Sequence, residues 1–263
     1  MMRVKLLLLS TLLAAAVGFM PADEPAAESP PLPPRVAMLN PPGVSAGATT
    51  RVMLRGWNLN DAKAVTADRE GVMVNVLKHE SAAVPGRQKA EEIGDQQLEL
   101  EIVLPDAPVC GELGLVVETA AGKSAPARLL IGAKQPVQAE AEPNDSFAQA
   151  QLLSVPQLVT GEIHADANVD VYRLELSEPQ TIRMQVIAAE LGSGLDSLLT
   201  LYSAAGNVIQ QSDDRSGSRD SFLQLSLAPG THLLVIQDAH DRGGPAHPYR
   251  LEVTAVEAAD QAR

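Results

Sequence analysis

The sequence predicts an all-β protein built from two consecutive antiparallel β-sandwiches behind an N-terminal leader. Three observations carry this. Short alternations of apolar and polar residues recur along most of the 263 residues and are punctuated by Gly, Pro, Asn or Asp. Almost no stretch shows the 3.6-residue apolar period of a helix. Alternation stops and proline and acid gather at 19–34 and again from Gly132 to Asp145, leaving two pieces of ordinary domain size, 35–132 and 140–256, joined by a linker at 133–139.

The leader comes first. Arg3 and Lys5 precede the apolar run Leu6 to Val17, and Ala16 and Gly18 supply small residues for a signal peptidase. The run is short against the roughly 20 residues of a membrane helix. Residues 1–18 therefore read as a signal peptide, with an uncleaved anchor as the rival, and the expected address is periplasmic, extracellular or cell-surface. Residues 19–34, rich in Pro, Ala and acid, read as an extended tether. The single cysteine, Cys110, allows no internal disulfide, so packed cores or bound ions must hold the fold.

With 33 acidic and 20 basic residues the chain carries a formal charge of −13, and loss of 1–18 would remove only bases. That balance excludes a phosphate-backbone reader and suits a module that recruits cations. One Trp, three Tyr and three Phe leave no broad aromatic platform for polysaccharide or single-stranded nucleic acid.

In the first domain, 35–132, strands are expected at "RVAML", "TTRVMLRG", "GVMVNVLK", "QLELEIVLP", "LGLVVETAAG" and "ARLLIG". In the second of these, Val52 and Leu54 alternate against Arg51, Met53 and Arg55. The polar stretch His79 to Asp95 reads as a protruding loop, partly helical at Lys89 to Ile93. The opening residues Pro34, Val36, Leu39, Pro41 or Pro42, Gly43 and Gly47, then "LRGWNL", then "VETAAGKSAPARLLI", resemble the immunoglobulin-like TIG/IPT family. That resemblance implies a spacer or protein-binding sandwich without catalytic residues.

The second domain, 140–256, opens on "EAEPNDSFAQAQLL". Phe147, Ala150 and Gln151 or Leu152 stand at helical spacing, with Asp145 or Ser146 available as N-cap. Eight strands follow: "QLVTGEI", "DVYRLEL", "TIRMQVIA", "SLLTLYS", "NVIQQS", "SFLQLSL", "THLLVIQD" and "PYRLEVTAV". Without helical crossovers they make a jelly-roll-like sandwich. Hairpins are expected at Gly206-Asn207 and at Pro229-Gly230, and 257–263 form a tail.

Read from the residues alone, Glu140, Glu142, Asn144 and Asp145 are either a solvated acidic linker ending in a helix cap or half of a hard-cation site. Alternate residues of an extended segment share one side, and Ca²⁺ takes six to eight oxygens. The ordered motifs "EPNDSFAQAQLL", "GEIHADANVDVYRLEL", "LGSGLDSLLTLYSAAGNVIQQSDD", "LAPGTHLLVIQD" and "HPYRLEV" resemble the bacterial pre-peptidase C-terminal domain and the related collagen-binding domains of collagenases. This resemblance implies Ca²⁺ at Glu140, Glu142, Asn144 and Asp145, completed by Asp170 with Asp166. Asn168 stands where an acid is common, and His164 where a smaller polar residue is.

A second acidic group, Asp196, Asp213, Asp214 and Asp238, fits a further cation site or, preferably, carboxylates accepting backbone N–H bonds in tight turns. No nucleophile elbow, zinc helix or phosphate loop is present. The histidines at 79, 164, 232, 240 and 247 are scattered, and His240 and His247 beside Asp238 and Asp241 read as a polar loop. Cys110 reads as a core or strand-edge residue. Trp57 is expected in the core, and Tyr249 is expected buried; Tyr172, Tyr202 and Tyr249 would form a contact face only if they pointed outward. The sequence thus points to an exported, non-catalytic adhesion, binding or spacer module acting on extracellular or envelope protein or polymer. The alternative is an accessory, chaperone-like or targeting partner of a secreted protease.

Overall fold

The structure, a computed structural model, describes residues 30–106, 111–132 and 137–256. The expected leader, most of the tether, Cys110, residues 133–136 and the tail 257–263 lie outside the described residues. No helix among the described residues is long and apolar enough to cross a membrane.

The first sandwich contains β1 (Arg35–Asn40), β2 (Gly43–Ser45), β3 (Thr49–Trp57), β4 (Ala64–Ala67) and β5 (Met73–Ser81). It continues with β6 (Gln96–Val103), β7 (Gly111–Thr119), β8 (Gly122–Lys123) and β9 (Ala127–Gly132). One sheet runs β1-β3-β6-β5 and the other β2-β9-β7-β4, with β8 on β7. The period of two decides what is inside. Val52 and Leu54 of β3 and Leu98, Leu100 and Ile102 of β6 meet Leu113, Leu115 and Val117 of β7 in one core. Gly56 is required by close packing, because a Cβ there would overlap the carbonyl oxygen of Arg35 on the paired strand.

Arg55 departs from the expected polar face: it is buried. Its Nε donates to Ile93 O at 2.8 Å, and its Nη2 donates to Ala83 O and Gly94 O at 2.7 and 2.8 Å. It therefore organises the 79–95 stretch, which is less a protruding loop than expected. β5 runs on to Ser81, and α1 (Ala90–Ile93) is one helical turn. Trp57 is half-buried rather than in the core. Its Nε1 donates to Ala90 O at 2.6 Å, and the Arg35 guanidinium lies 4.4 Å over its ring.

The second sandwich contains β10 (Val137–Ala139), β11 (Gln151–Leu153), β12 (Gln157–Glu162), β13 (Val169–Leu176) and β14 (Gln180–Ile187). Then come β15 (Ser197–Ser203), β16 (Val208–Ser212), β17 (Phe222–Leu227), β18 (Gly230–Asp238) and β19 (Pro248–Ala255). The sheets run β10-β12-β19-β14-β17 and β11-β13-β18-β15-β16. Ile182, Met184 and Val186 of β14 and Leu251 and Val253 of β19 pack against Leu174, Leu201, Leu234 and Ile236 of the opposite sheet.

Two local expectations are corrected. The helix after Asp145 is only a 3-10 turn, Phe147–Gln149, with no side-chain cap from Ser146. The next residues join the sheet instead, as β11 pairs parallel with β13, so ladder hydrogen bonds win over a short helix. The turn at Pro229-Gly230 is not a hairpin, because β17 pairs with β14 whereas β18 pairs with β13 and β15. It carries the chain from one sheet to the other. The β15–β16 hairpin at Gly206 is present.

The two sandwiches form one compact unit. Met38 and Ile93 of the first pack on Ala246 of the second. The Arg87 guanidinium donates to the carbonyls of Asp241 and His240 at 3.0 and 3.2 Å, and Gln88 Nε2 donates to Gly243 O at 2.9 Å. The 79–95 stretch is thus a clamp between the sandwiches.

Candidate metal centre

The acidic run 140–145 leaves β10 and crosses the end of the second sandwich. The parallel β10–β12 pairing and the bond from Glu140 N to Thr160 O at 2.9 Å fix where Glu140 enters. Its Oε1 accepts the N–H of Glu162 at 2.7 Å, so its carboxylate lies along β12. Gly161 makes the room: a Cβ there would overlap Glu140 Oε2 and the Tyr249 hydroxyl.

Asp170, near the start of β13, shares the inward face with Tyr172 and Leu174 and is fully buried. Tyr249 Oη donates to Asp170 Oδ2 at 2.6 Å and lies 3.2 Å from Glu140 Oε2. Tyr172 Oη is 2.6 Å from Tyr249 Oη, so a chain of two phenols ends on the aspartate. Sequence reasoning placed Tyr249 inside but missed this network. The signal was available, since a buried phenol must find a partner.

Ligand oxygens of Glu140, Glu142 and Asp170 lie within 4.8 Å of one another. Burial, then the Glu140 charge, pushes the Asp170 carboxyl up to about 9; burial, outweighing the hydrogen bonds it accepts, also raises Glu140. Asp170 Oδ1 and both amide atoms of fully buried Asn144 have no hydrogen-bond partner. The fold brings Asn144 to the start of β13 next to Asp170, because its backbone carbonyl accepts the N–H of Val171 at 2.9 Å. Buried polar atoms normally find partners, and a cluster of oxygens with orphaned acceptors suits a hard cation.

Asp145 adjoins this cluster on its exposed side, where its carboxylate gathers with Glu142 and His164 within 4.8 Å. His164 Nδ1 is 3.0 Å from Glu142 Oε1, and Asn168 Nδ2 donates to Asp145 Oδ1 at 2.7 Å. The off-pattern His164 and Asn168 thus brace the acidic run. Asp166 is not among the gathered residues, contrary to expectation. Ala167 takes a positive φ of 60°, and Asp166 turns to the opposite loop, where its Oδ1 accepts the N–H of Gly243 at 3.1 Å and its Oδ2 lies 3.7 Å from Arg87.

The cluster forms one wall of a cleft of about 820 Å³ between the sandwiches. Glu140, Glu142, Asp145, Glu162 and His164 face Asn40 and Pro41 of the first sandwich across it. Asn40 Nδ2 donates to Glu162 Oε2.

The second acidic group divides. Ligand oxygens of Asp196, Asp213 and Asp214 gather within 4.8 Å. Asp238 braces a turn instead, accepting the N–H groups of Asp196, His240 and Arg242 at 3.0, 2.9 and 3.1 Å. Burial would raise its pKa, but these bonds and the Arg242 guanidinium hold it below the usual carboxylate range. The tyrosines make no common contact face: Tyr172 and Tyr249 are fully buried, and Tyr202 packs edge-on to Phe147 at 5.1 Å between centroids.

No protein-family model matches the chain, and no curated protein matches it in sequence. Solved structures do show likenesses. The pre-peptidase C-terminal domain of a collagenase from Bacillus anthracis is 14% identical with a TM-score of 0.34, over 44% of this chain and 100% of that one. A secreted serine protease from Vibrio cholerae is 10% identical with a TM-score of 0.28, over 81% of this chain and 48% of that one. SGBP-B from a complex xyloglucan utilization locus in Bacteroides uniformis is 14% identical with a TM-score of 0.27, over 86% and 74%. At such scores none of these likenesses decides what the chain does.

Proposed function

We propose that this protein is an exported, non-catalytic binding or spacer module whose second sandwich is fastened by Ca²⁺ and which acts on extracellular or envelope protein or polymer. The observation that carries the ion is the gathering of exposed Glu142, half-buried Glu140 and buried Asp170 beside the partnerless oxygens of Asn144 and Asp170. All of these donors are oxygens, which is what Ca²⁺ prefers. Glu140, Glu142, Asn144 and Asp170 would hold the ion, with Asp145 adjoining, and the ion would supply the positive charge that buried carboxylates need. Its role is structural: the acidic run opens the second sandwich, and Glu140 bonds to β12 beside Glu162, which contacts Asn40 of the first sandwich. The leader-like N-terminus supports export, where millimolar Ca²⁺ suits a weak extracellular-type site.

The test is calorimetric. An ion that binds only the folded state stabilises it by about 2.7 kcal/mol at a hundred times its Kd, which corresponds to roughly 5–10 °C in Tm for a protein of this size. A melting temperature unmoved by millimolar Ca²⁺ after chelator treatment would sink the proposal. The binding role is tested by retention of the protein on immobilised matrix protein and envelope polymer, with and without Ca²⁺.

A further inference from the structure

A second cavity, of about 290 Å³, lies between the sandwiches. The clamp stretch supplies Gln88 and Glu92 to its wall, and the second sandwich supplies Ser193, Arg219, Arg242 and His247. His247 is 1% exposed, yet neither ring nitrogen has a hydrogen-bond partner. Its backbone is pinned at both ends, the N–H to Gly244 O at 2.9 Å and the carbonyl to Ile163 N at 3.2 Å, so the ring is held in place. Gly194 keeps the ring edge open, since a Cβ there would stand 3.5 Å from His247 Cε1 and Nε2. Gln88 Oε1 is also buried without a partner, although its Nε2 is engaged.

These unpaired groups are complementary to one kind of molecule. A neutral imidazole offers one donor and one acceptor, and the amide oxygen of Gln88 wants a donor. No ion pair among the described residues engages the Arg219 guanidinium. Arg242 reaches Asp238 through Nε and Nη2 at 3.3 and 3.5 Å. Glu92, the one carboxylate on the wall, lies 3.8 Å from Lys89. Buried polar groups left unpaired cost free energy, and a guanidinium is well matched to planar or tetrahedral oxyanions.

We propose that this cavity is a binding site for a small hydroxylated oxyanion, held by Arg219, Arg242 and His247 with Gln88 accepting from its hydroxyl. The site is separate from the acidic cluster and does not rest on the cation. Because its wall comes from both sandwiches, an occupant also ties them together. Two sources share this chemistry, a sugar acid and free phosphate, and they are distinguished by probing with glucuronate and with inorganic phosphate.

The experiment follows the imidazole resonances of the full chain by NMR, at constant ionic strength in chloride and without added divalent cation. The His247 resonance, assigned with His247→Gln, is expected to move saturably with at least one probe and to bring a rise in Tm. In Arg219→Gln, a substitution at an exposed position, the affinity should fall about tenfold, as loss of a charge-assisted bond implies. A shift with glucuronate alone identifies a sugar-acid site, and a shift with phosphate alone a phosphate site. No saturable shift of His247 with either probe at about 50 mM overturns the proposal. So does an affinity unchanged in Arg219→Gln, which would reduce the effect to nonspecific ion binding.

Discussion

Two acidic clusters in the same sandwich invite comparison. Glu140, Glu142 and Asp170 meet at the start of β13, with Asp170 buried, Glu140 half-buried and Glu142 exposed, whereas in Asp196, Asp213 and Asp214 two carboxylates are exposed and none is buried. Both bring three carboxylates within the same span, so acid count does not separate them. What differs is the surroundings. The first adjoins Asn144 and Asp170 atoms with no partner and two phenols aimed inward; among the second, Asp196 Oδ2 has His240 Nδ1 within 3.5 Å and the others face water. Exposed like charges are screened by solvent, but buried ones must be neutralised by a proton or by an ion. What separates the two clusters is therefore what burial leaves unsatisfied.

The comparison breaks most sharply under mutation. Glu142→Ala with Asp170→Ala should abolish the whole Ca²⁺-dependent rise in Tm, while Asp196→Asn with Asp213→Asn and Asp214→Asn should leave it intact. Calorimetry of both variants checks this, and a rise lost only in the second would move the ion to the other cluster.

Next in size is a pH effect. In the metal-free fold burial and then the Glu140 charge push the Asp170 carboxyl up to about 9, from the ordinary value of 3.8 that it has in the unfolded chain. Between those limits the folded state holds a proton that the unfolded chain has lost, so its contribution makes stability fall as pH rises from about 4 to about 9. Asp170→Asn should flatten that slope and stabilise the metal-free protein at neutral pH. Ca²⁺ needs the carboxylate ionised, so its affinity should rise with pH over the same window. Denaturant titrations across the range, with and without chelator, measure both trends.

Gly161→Ala should cost roughly 1–3 kcal/mol, as overpacking does, because the new methyl overlaps Glu140 and Tyr249. It should weaken Ca²⁺ binding as well, a readout that a purely local strain elsewhere in β12 would not move. Smallest is Asp213→Asn. Burial and then the neighbouring Asp214 raise the Asp213 pKa, yet the site is exposed, so the change should stay within about 0.5 kcal/mol of wild type.

Much of this was legible in the sequence. Period-two alternation placed Ile182, Met184, Val186, Tyr249, Leu251 and Val253 inside, and all are buried. The sequence grouped Glu140, Glu142 and Asp170, and their carboxylates lie within 4.8 Å of one another. What stayed hidden depends on chain segments meeting at long range. Arg55 reads as a surface residue of β3 until the 83–94 carbonyls converge on it. Asp166 reads as a ligand until the 238–244 loop offers it an N–H. The β10 and β11 strands are three residues each, too short for alternation to register, and pairing with β12 and β13 is what makes them strands.

The phenol chain at the acidic cluster has a practical consequence. The protein has three tyrosines and one tryptophan, and two of those tyrosines, Tyr172 and Tyr249, end on the Asp170 carboxylate. A change in the charge at that carboxylate would act on two of the chain's three phenols at once, so ultraviolet difference absorption should report, without a label, whether an ion binds there.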